Sequence, residues 1–219
     1  MRAEVMTLGT PNPRQREFLA CEKKYVAFGG ARGGGKSWAV RCKAKLLALR
    51  YAGIRILLVR RSLAELEANH LAFLRQELAD VAEYRAGERQ FRFCNGSVLQ
   101  FGYCGCDRDL DRYQGAEYDV IFLDEATQLK EQWMRQIAAC VRGVNDFPKR
   151  IYYTCNPGGP GHGYIKRLFI DRRFEDGEQP EDYAFIPARV TDNTALLARQ
   201  PDYLKTLEAL PYKLRRAWL

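Results

Sequence analysis

The feature that most constrains this chain is a short apolar strand that runs straight into a glycine-rich turn and out into a helix. The strand reads from Tyr25 to Gly29, the turn is Gly30-Ala31-Arg32-Gly33-Gly34-Gly35-Lys36-Ser37, and the helix extends from Lys36 to about Tyr51. The turn satisfies the pattern G-x-x-x-x-G-K-[ST] in the strand-before, helix-after context that the pattern requires. Glycines let the main chain take positive φ and approach a ligand closely, so that backbone N–H groups surround a polyphosphate at the helix N-terminus. In that geometry Gly30, Ala31, Arg32, Gly33, Gly34, Gly35, Lys36, Ser37 and the following Trp38 are candidate nucleotide contacts. Lys36 would reach the β- and γ-phosphates of ATP, and Ser37 would ligate Mg²⁺.

The rest of the chain alternates between strand and helix signals. Pro11 to Cys21 predicts a short helix opened by proline. Ile54 to Val59 is a continuous apolar run of strand length, as in a strand buried on both faces of a parallel sheet. Leu63 to about Ala82 carries helical spacing through Leu63, Leu66, His70, Leu74 and Leu78. Gln90 to Cys94 and Ser97 to Tyr103 flank Asn95-Gly96 and read as a hairpin. Asp119 to Leu123 is another buried strand, Ala126 to Val141 reads as helix, Arg150 to Thr154 as strand, and Gly158 to Gly163 as a flexible loop. Beyond Asp171 the signal weakens: Arg172 to Asp182 reads as a surface loop, Tyr183 to Pro187 as one more strand, and Pro201 to Leu219 as one or two helices. The alternation predicts an α/β, three-layer P-loop NTPase of RecA-like (ASCE) type, with a mostly parallel central sheet flanked by helices. We expect a core over 1–171 and a lid or linker subdomain over 172–219. The apolar end Ala217-Trp218-Leu219 leads us to expect that further sequence follows it.

A second motif gives the first one its chemistry. Val120-Ile121-Phe122-Leu123-Asp124-Glu125 is an apolar strand ending in two acids, a Walker B pattern. Ligands bind outside the carboxyl edge of a parallel sheet, so Asp124 would stand beside the phosphates and help to hold Mg²⁺, directly or through water. Glu125 would orient and polarise the attacking water as general base. Alone, two acids after a strand are also what a helix cap looks like; the glycine-rich turn is what gives them a metal and a water to face.

Phosphoryl transfer builds charge on the equatorial oxygens, and a guanidinium stabilises it. Arg32 lies within the glycine-rich turn, whereas Arg108 and Arg112 precede the Walker B strand, where Asp109 and Asp111 also offer ordinary ion-pair partners. Thr154-Cys155-Asn156-Pro157 follows a strand expected beside Walker B, which would bring Asn156 near the γ-phosphate; a plain Asn-Pro turn reads the same way. Asn12-Pro13-Arg14-Gln15 precedes the first strand, where the Gln15 amide could read an adenine edge.

Composition sets the outer limits. A chain of 219 residues can bury one substantial core, and 47% hydrophobic with 28% charged residues is the balance of a folded globular domain. The net charge of +8 favours polyanionic partners such as nucleic acid. Seven scattered cysteines with no CxxC pair and only two histidines argue for reduced thiols rather than a metal site. No apolar run is long enough to span a membrane, and the N-terminus lacks an apolar signal core.

Taken together, these elements resemble the ATPase domain of the large terminase subunits of tailed bacteriophages and prophages. That family shows a P-x-x-Q-type adenine segment, a P-loop with an internal arginine, a hydrophobic strand followed by Asp-Glu-Ala, and a Thr-x-Asn-Pro coupling motif. The matching segments are Pro13 to Gln15, with shortened spacing, Gly29 to Ser37, Val120 to Ala126, and Thr154 to Pro157. The resemblance implies that Gln15 contacts adenine, Arg32 acts within the P-loop, Asn156 couples hydrolysis to movement, and Arg112 is the candidate trans finger in a homo-oligomeric ring. It also implies a motor that moves double-stranded DNA into a procapsid in the host cytoplasm, with the portal protein and the small terminase subunit as partners and no membrane. The family's nuclease domain has no counterpart here, so no nuclease activity is expected of this chain. The residues themselves leave two other readings open: a RecA-like helicase or other nucleic-acid-dependent ATPase, and a nucleotide-binding ring-assembly module with little turnover.

Overall fold

This computed structural model describes residues 9–212 and 215. Its frame is one eight-stranded sheet with the strands in the order β3-β4-β5-β2-β6-β7-β1-β8. The strands are β1 (Tyr25–Gly30), β2 (Arg55–Arg60), β3 (Ala82–Arg85), β4 (Gln90–Phe93), β5 (Val98–Tyr103), β6 (Val120–Leu123), β7 (Arg150–Cys155) and β8 (Tyr183–Ala188). From β5 through to β8 every pairing is parallel; β4 alone is reversed, pairing antiparallel with both β3 and β5.

Strand alternation builds two cores from one sheet. Val26, Phe28, Ile56, Leu58, Phe122 and Tyr152 face one way, and Ala27, Leu57, Val59, Ile121, Leu123 and Tyr153 face the other. The first face is covered by α1 (Pro13–Ala20), α2 (Lys36–Arg50), α3 (Leu63–Leu66) and α4 (Ala72–Glu77), which contribute Phe18, Val40, Leu66 and Leu74. The second is covered by α5 (Glu131–Ala138) and α6 (His162–Ile165), which contribute Trp133, Met134, Ile137 and Ile165. Two further short helices, α7 (Thr194–Arg199) and α8 (Tyr203–Glu208), follow the last strand.

Several elements differ from their sequence reading for identifiable reasons. The helix expected over Ala126 to Val141 is a single 3-10 turn, Ala126–Gln128, followed by the shorter α5. The extended Leu129 separates them (φ −94°, ψ 146°). The loop expected at Gly158 to Gly163 packs tightly: a Cβ on Gly161 would lie 2.3 Å from the Leu129 carbonyl oxygen. A helix starts within it, α6, and passes into a π turn at Lys166–Ile170. The helix expected over Leu63 to Ala82 is α3 and α4 joined by a π turn, Glu67–Leu71, and ends at Glu77, ahead of β3, whose alternation spans only four residues. Beyond position 171 the chain adds β8, which pairs with β1 along its whole length. Of the helical reading over Pro201 to Leu219, α8 lies within the described residues, whereas positions 213, 214 and 216–219, with the apolar end Ala217-Trp218-Leu219, lie outside them.

The topology sets up the site. Strands β2, β6, β7 and β1 are neighbours and parallel, so their last residues and the residues just after them share one edge: Arg60, Asp124, Asn156 and Gly30. That edge is the carboxyl side, where ligands sit in open α/β sheets.

Candidate functional site

A cleft of about 380 Å³ opens at this edge, lined by the turn from Arg32 to Ser37 and by Trp38, Asp124, Glu125, Thr154 and Asn156. Every candidate from the glycine-rich turn onward thus converges there, apart from Gly30 and Ala31 at the base of the turn, Arg108 and Arg112. A larger hollow of about 640 Å³ lies beside the β3–β4 hairpin, but none of the candidate residues lines it.

The turn is held open by its glycines. Gly33 and Gly35 take left-handed φ values of 77° and 74°, a region that any side chain other than glycine enters at a cost. A Cβ on Gly35 would also lie 2.4 Å from Gln15 Nε2, and one on Gly33 would lie 2.8 Å from the Tyr203 ring. The turn is therefore clasped from both sides. On one side the Asn12 and Gln15 side chains cap each other's backbone at the start of α1, and Gln15 Nε2 donates to the Gly35 carbonyl at 3.0 Å. On the other, Asn193 Nδ2 donates to the Gly33 carbonyl at 2.6 Å.

Lys36 is buried at the floor, where its ammonium donates to the Ala31 carbonyl (2.5 Å) and to Asn156 Oδ1 (2.7 Å). Burial pulls its pKa below the ordinary lysine value, with Cys155, Asp124 and Glu125 pulling the other way. Asn156 is itself fixed, since its backbone carbonyl accepts from Thr127 Oγ1 at 2.8 Å.

Asp124 is almost fully enclosed. Its Oδ2 lies 2.7 Å from His70 Nε2 and 3.0 Å from Arg60 Nε, and its Oδ1 accepts from Thr154 Oγ1 at 2.5 Å. Burial alone would raise its pKa, but the His70 ring, the Arg60 guanidinium and the Thr154 hydroxyl hold the carboxyl well below the usual range. Glu125 follows with a left-handed backbone (φ 51°), its N–H donating to Thr154 Oγ1 at 2.8 Å and its Oε1 lying 2.8 Å from Arg60 Nη2. A non-glycine residue at positive φ stores strain of the kind found at functional sites. Here it points the Glu125 carboxylate toward the cleft mouth while Asp124 stays inside.

The donor set suits a magnesium nucleotide. A cradle that Cβ atoms would fill, one lysine, one hydroxyl at Ser37 and two acids are the hard-oxygen ligands and anion partners such a group needs. Among the described residues there is no cluster of three or more His, Cys, Asp or Glu able to hold a metal by itself.

Three of the candidates have particular surroundings. Gln15 is buried, and both atoms of its carboxamide are committed within the protein, to Asn12 and to Gly35. Arg112 does not line the cleft; it pairs with Asp109 at 2.9 Å and stacks 4.1 Å over the Tyr103 ring. Arg32 lies exposed at the cleft wall. Sequence reading missed Arg60, which ends an apolar strand just as Asp124 follows one. It also missed His70, a polar residue at an apolar position of its helix. Tyr203, Asn193 and Asn69, brought to or against the cleft from remote segments, have no local signal at all.

No curated protein sequence matches the chain. Solved structures share the fold at low identity. The large terminase of a thermophilic bacteriophage, in complex with ADP, superposes with a TM-score of 0.75 at 16% identity, covering 94% of this chain and 52% of that one. The large terminase ATPase domain of Thermus phage P74-26 gives 0.67 at 16% identity, covering 95% and 92%. The N-terminal domain of the DNA packaging ATPase from bacteriophage phi29 gives 0.56 at 18% identity, covering 81% and 96%. The chain thus spans about half the length of the first of these and nearly all of the isolated ATPase domains. The family profile for the N-terminal part of the terminase large subunit, T4likevirus type, matches residues 27–217, from the first strand of the sheet to beyond α8, and on that match the chain belongs to the terminase large-subunit family.

Proposed function

We propose that this chain binds ATP with Mg²⁺ in the cleft at the carboxyl edge and hydrolyses it, as the motor domain of a DNA-packaging terminase. The observation that carries the proposal is the convergence on one cleft of Lys36, Ser37, Asp124 and Glu125, which come from two separate motifs. Backbone N–H groups from Gly33 to Ser37 receive the phosphates, and the N-terminus of α2 adds its positive dipole end. The Lys36 ammonium leaves Ala31 and Asn156 for phosphate oxygens. Ser37 and Asp124 would hold Mg²⁺, which would neutralise part of the phosphate charge. Glu125 takes the proton of the attacking water, and Arg32 stabilises the charge that develops on the transferred group.

Around that core, Gln15 supports the P-loop from behind through Gly35; any reading of adenine by its amide requires these bonds to open. Asn156, bound to Lys36, is placed to sense its departure. Arg112, exposed on the wall beyond β5, is the candidate finger for a neighbouring subunit in a homo-oligomeric ring, and α7 with α8 forms the lid. Double-stranded DNA is the proposed track, with the portal protein and the small terminase subunit as assembly partners in the host cytoplasm. No helix among the described residues is long and apolar enough to cross a membrane.

The test is phosphate release from ATP with and without double-stranded DNA, in the wild type and in Lys36→Ala. A packaging motor hydrolyses ATP in a Lys36-dependent way and without strand separation. Binding with no turnover would leave a ring-assembly role instead.

A further inference from the structure

The helical run after β2 is interrupted by a π turn, Glu67–Leu71. Single π turns within α-helices concentrate at functional sites, because the extra residue re-aims the side chains around it. Here the turn faces the cleft. Asn69 and, one turn on, Phe73 line it, and the Asn69 carbonyl accepts from Arg41 Nη1 of α2 at 2.7 Å. The next residue, His70, points the other way, into the protein, and is completely buried.

His70 occupies a position that packing alone would give to leucine, within a helical run whose neighbours Leu66, Leu71 and Leu74 are all buried. Burying an imidazole there is unfavourable unless it is hydrogen-bonded. Its Nδ1 is buried with no hydrogen-bond partner among the described atoms, and its Nε2 meets only Asp124 Oδ2, at 2.7 Å. An ionised carboxylate can only accept, so Nε2 carries the proton and donates. Together with Arg60 on the same oxygen and Thr154 on the other, it fixes the plane of the carboxylate from three directions.

We infer that His70 is a positioning residue, delivered by the π turn, that locks the Asp124 carboxylate in the orientation in which it and Ser37 receive a magnesium nucleotide. The inference rests on the proposed nucleotide site and deepens it. Partners of this kind, which orient a metal-facing ligand without touching the metal, change metal affinity by about 10- to 100-fold when removed.

The experiment is calorimetric titration of the chain with ADP, once in magnesium and once in excess EDTA, for wild type, His70→Leu, His70→Asn and His70→Gln. His70→Leu and His70→Asn, whose amide stops short of Asp124, weaken binding about tenfold in magnesium and leave it within about twofold in EDTA. His70→Gln, whose amide nitrogen matches the reach of Nε2, binds like wild type in both. Binding unchanged in magnesium, or weakened equally in both buffers, overturns the inference. Should His70→Leu fail to fold, the Asn and Gln variants carry the same contrast. Wild-type binding that ignores magnesium would overturn the nucleotide-site reading as well; magnesium-dependent wild-type binding with unaffected variants overturns this inference alone.

Discussion

Arg60 spans the two acids that follow β6: its Nε lies 3.0 Å from Asp124 Oδ2 and its Nη2 lies 2.8 Å from Glu125 Oε1. One planar guanidinium thus reaches the enclosed carboxylate and the one at the cleft mouth together, a geometry lysine cannot reproduce. Arg60 and Asp124 are both almost fully buried. Removing the cation leaves a buried carboxylate short of its counter-charge, so Arg60→Ala lowers stability by about 3 kcal/mol. Arg60→Lys recovers only part of that. Urea midpoints of the three proteins check the ordering.

The bond between Lys36 and Asn156 sets a second expectation. Phosphate has to displace Asn156 Oδ1 from the ammonium, so removing that acceptor does not weaken nucleotide binding. It does remove the link by which the strand β7 follows the lysine. Asn156→Ala binds ADP within about threefold of wild type yet turns over ATP about tenfold more slowly, a loss of about 1.4 kcal/mol in the transition state. Titration and steady-state rates measured on one preparation separate the two effects.

The sheet and the P-loop were legible because they are local. An apolar run, a glycine-rich turn and a helix occupy consecutive residues, and Asp124 and Glu125 sit directly after their strand. What sequence reading missed is non-local: Arg60 and His70 acquire meaning only when β2 is laid beside β6, and Asn193 only when β8 returns to the edge of β1. Helix α6 was hidden by glycines that signal a loop in isolation but here permit close packing against Leu129. Three cations of α2, Arg41, Lys43 and Lys45, are buried where a solvated helix face would have been the natural reading, because α2 is covered on several sides.

Lys43 gives a pH prediction. Burial lowers its pKa to about 8 from the ordinary lysine value of 10.5, with Arg150 adding to the effect; its ammonium donates to the Leu19 carbonyl at 2.5 Å. Below pH 8 it is charged in both folded and unfolded chains, and its burial cost is fully present. Between pH 8 and 10.5 the folded chain releases the proton while the unfolded chain keeps it, so stability rises with pH. The difference between wild type and Lys43→Met in unfolding free energy should therefore shift toward the wild type across that window, by up to about 3 kcal/mol. Denaturant titrations at intervals across the range check it; a difference that stays flat contradicts it.

Glu125 is the residue whose change separates binding from chemistry. Glutamine keeps its size and its backbone, including the left-handed φ of 51°, but cannot take a proton. Glu125→Gln keeps the fold and ADP affinity, and loses at least about 100-fold in turnover, the range expected for a general base. Single-turnover rates with ADP titration as the control check this.

The central claim is that the glycine turn and the two acids form one nucleotide-hydrolysing site around Lys36. Steady-state phosphate release from ATP in magnesium, wild type against Lys36→Ala, tests it most directly. The account predicts measurable turnover by the wild type and a fall of at least about 100-fold in the variant, with nucleotide binding weakened alongside. Equal rates in the two proteins, or a wild type that neither binds nor hydrolyses ATP, would contradict it.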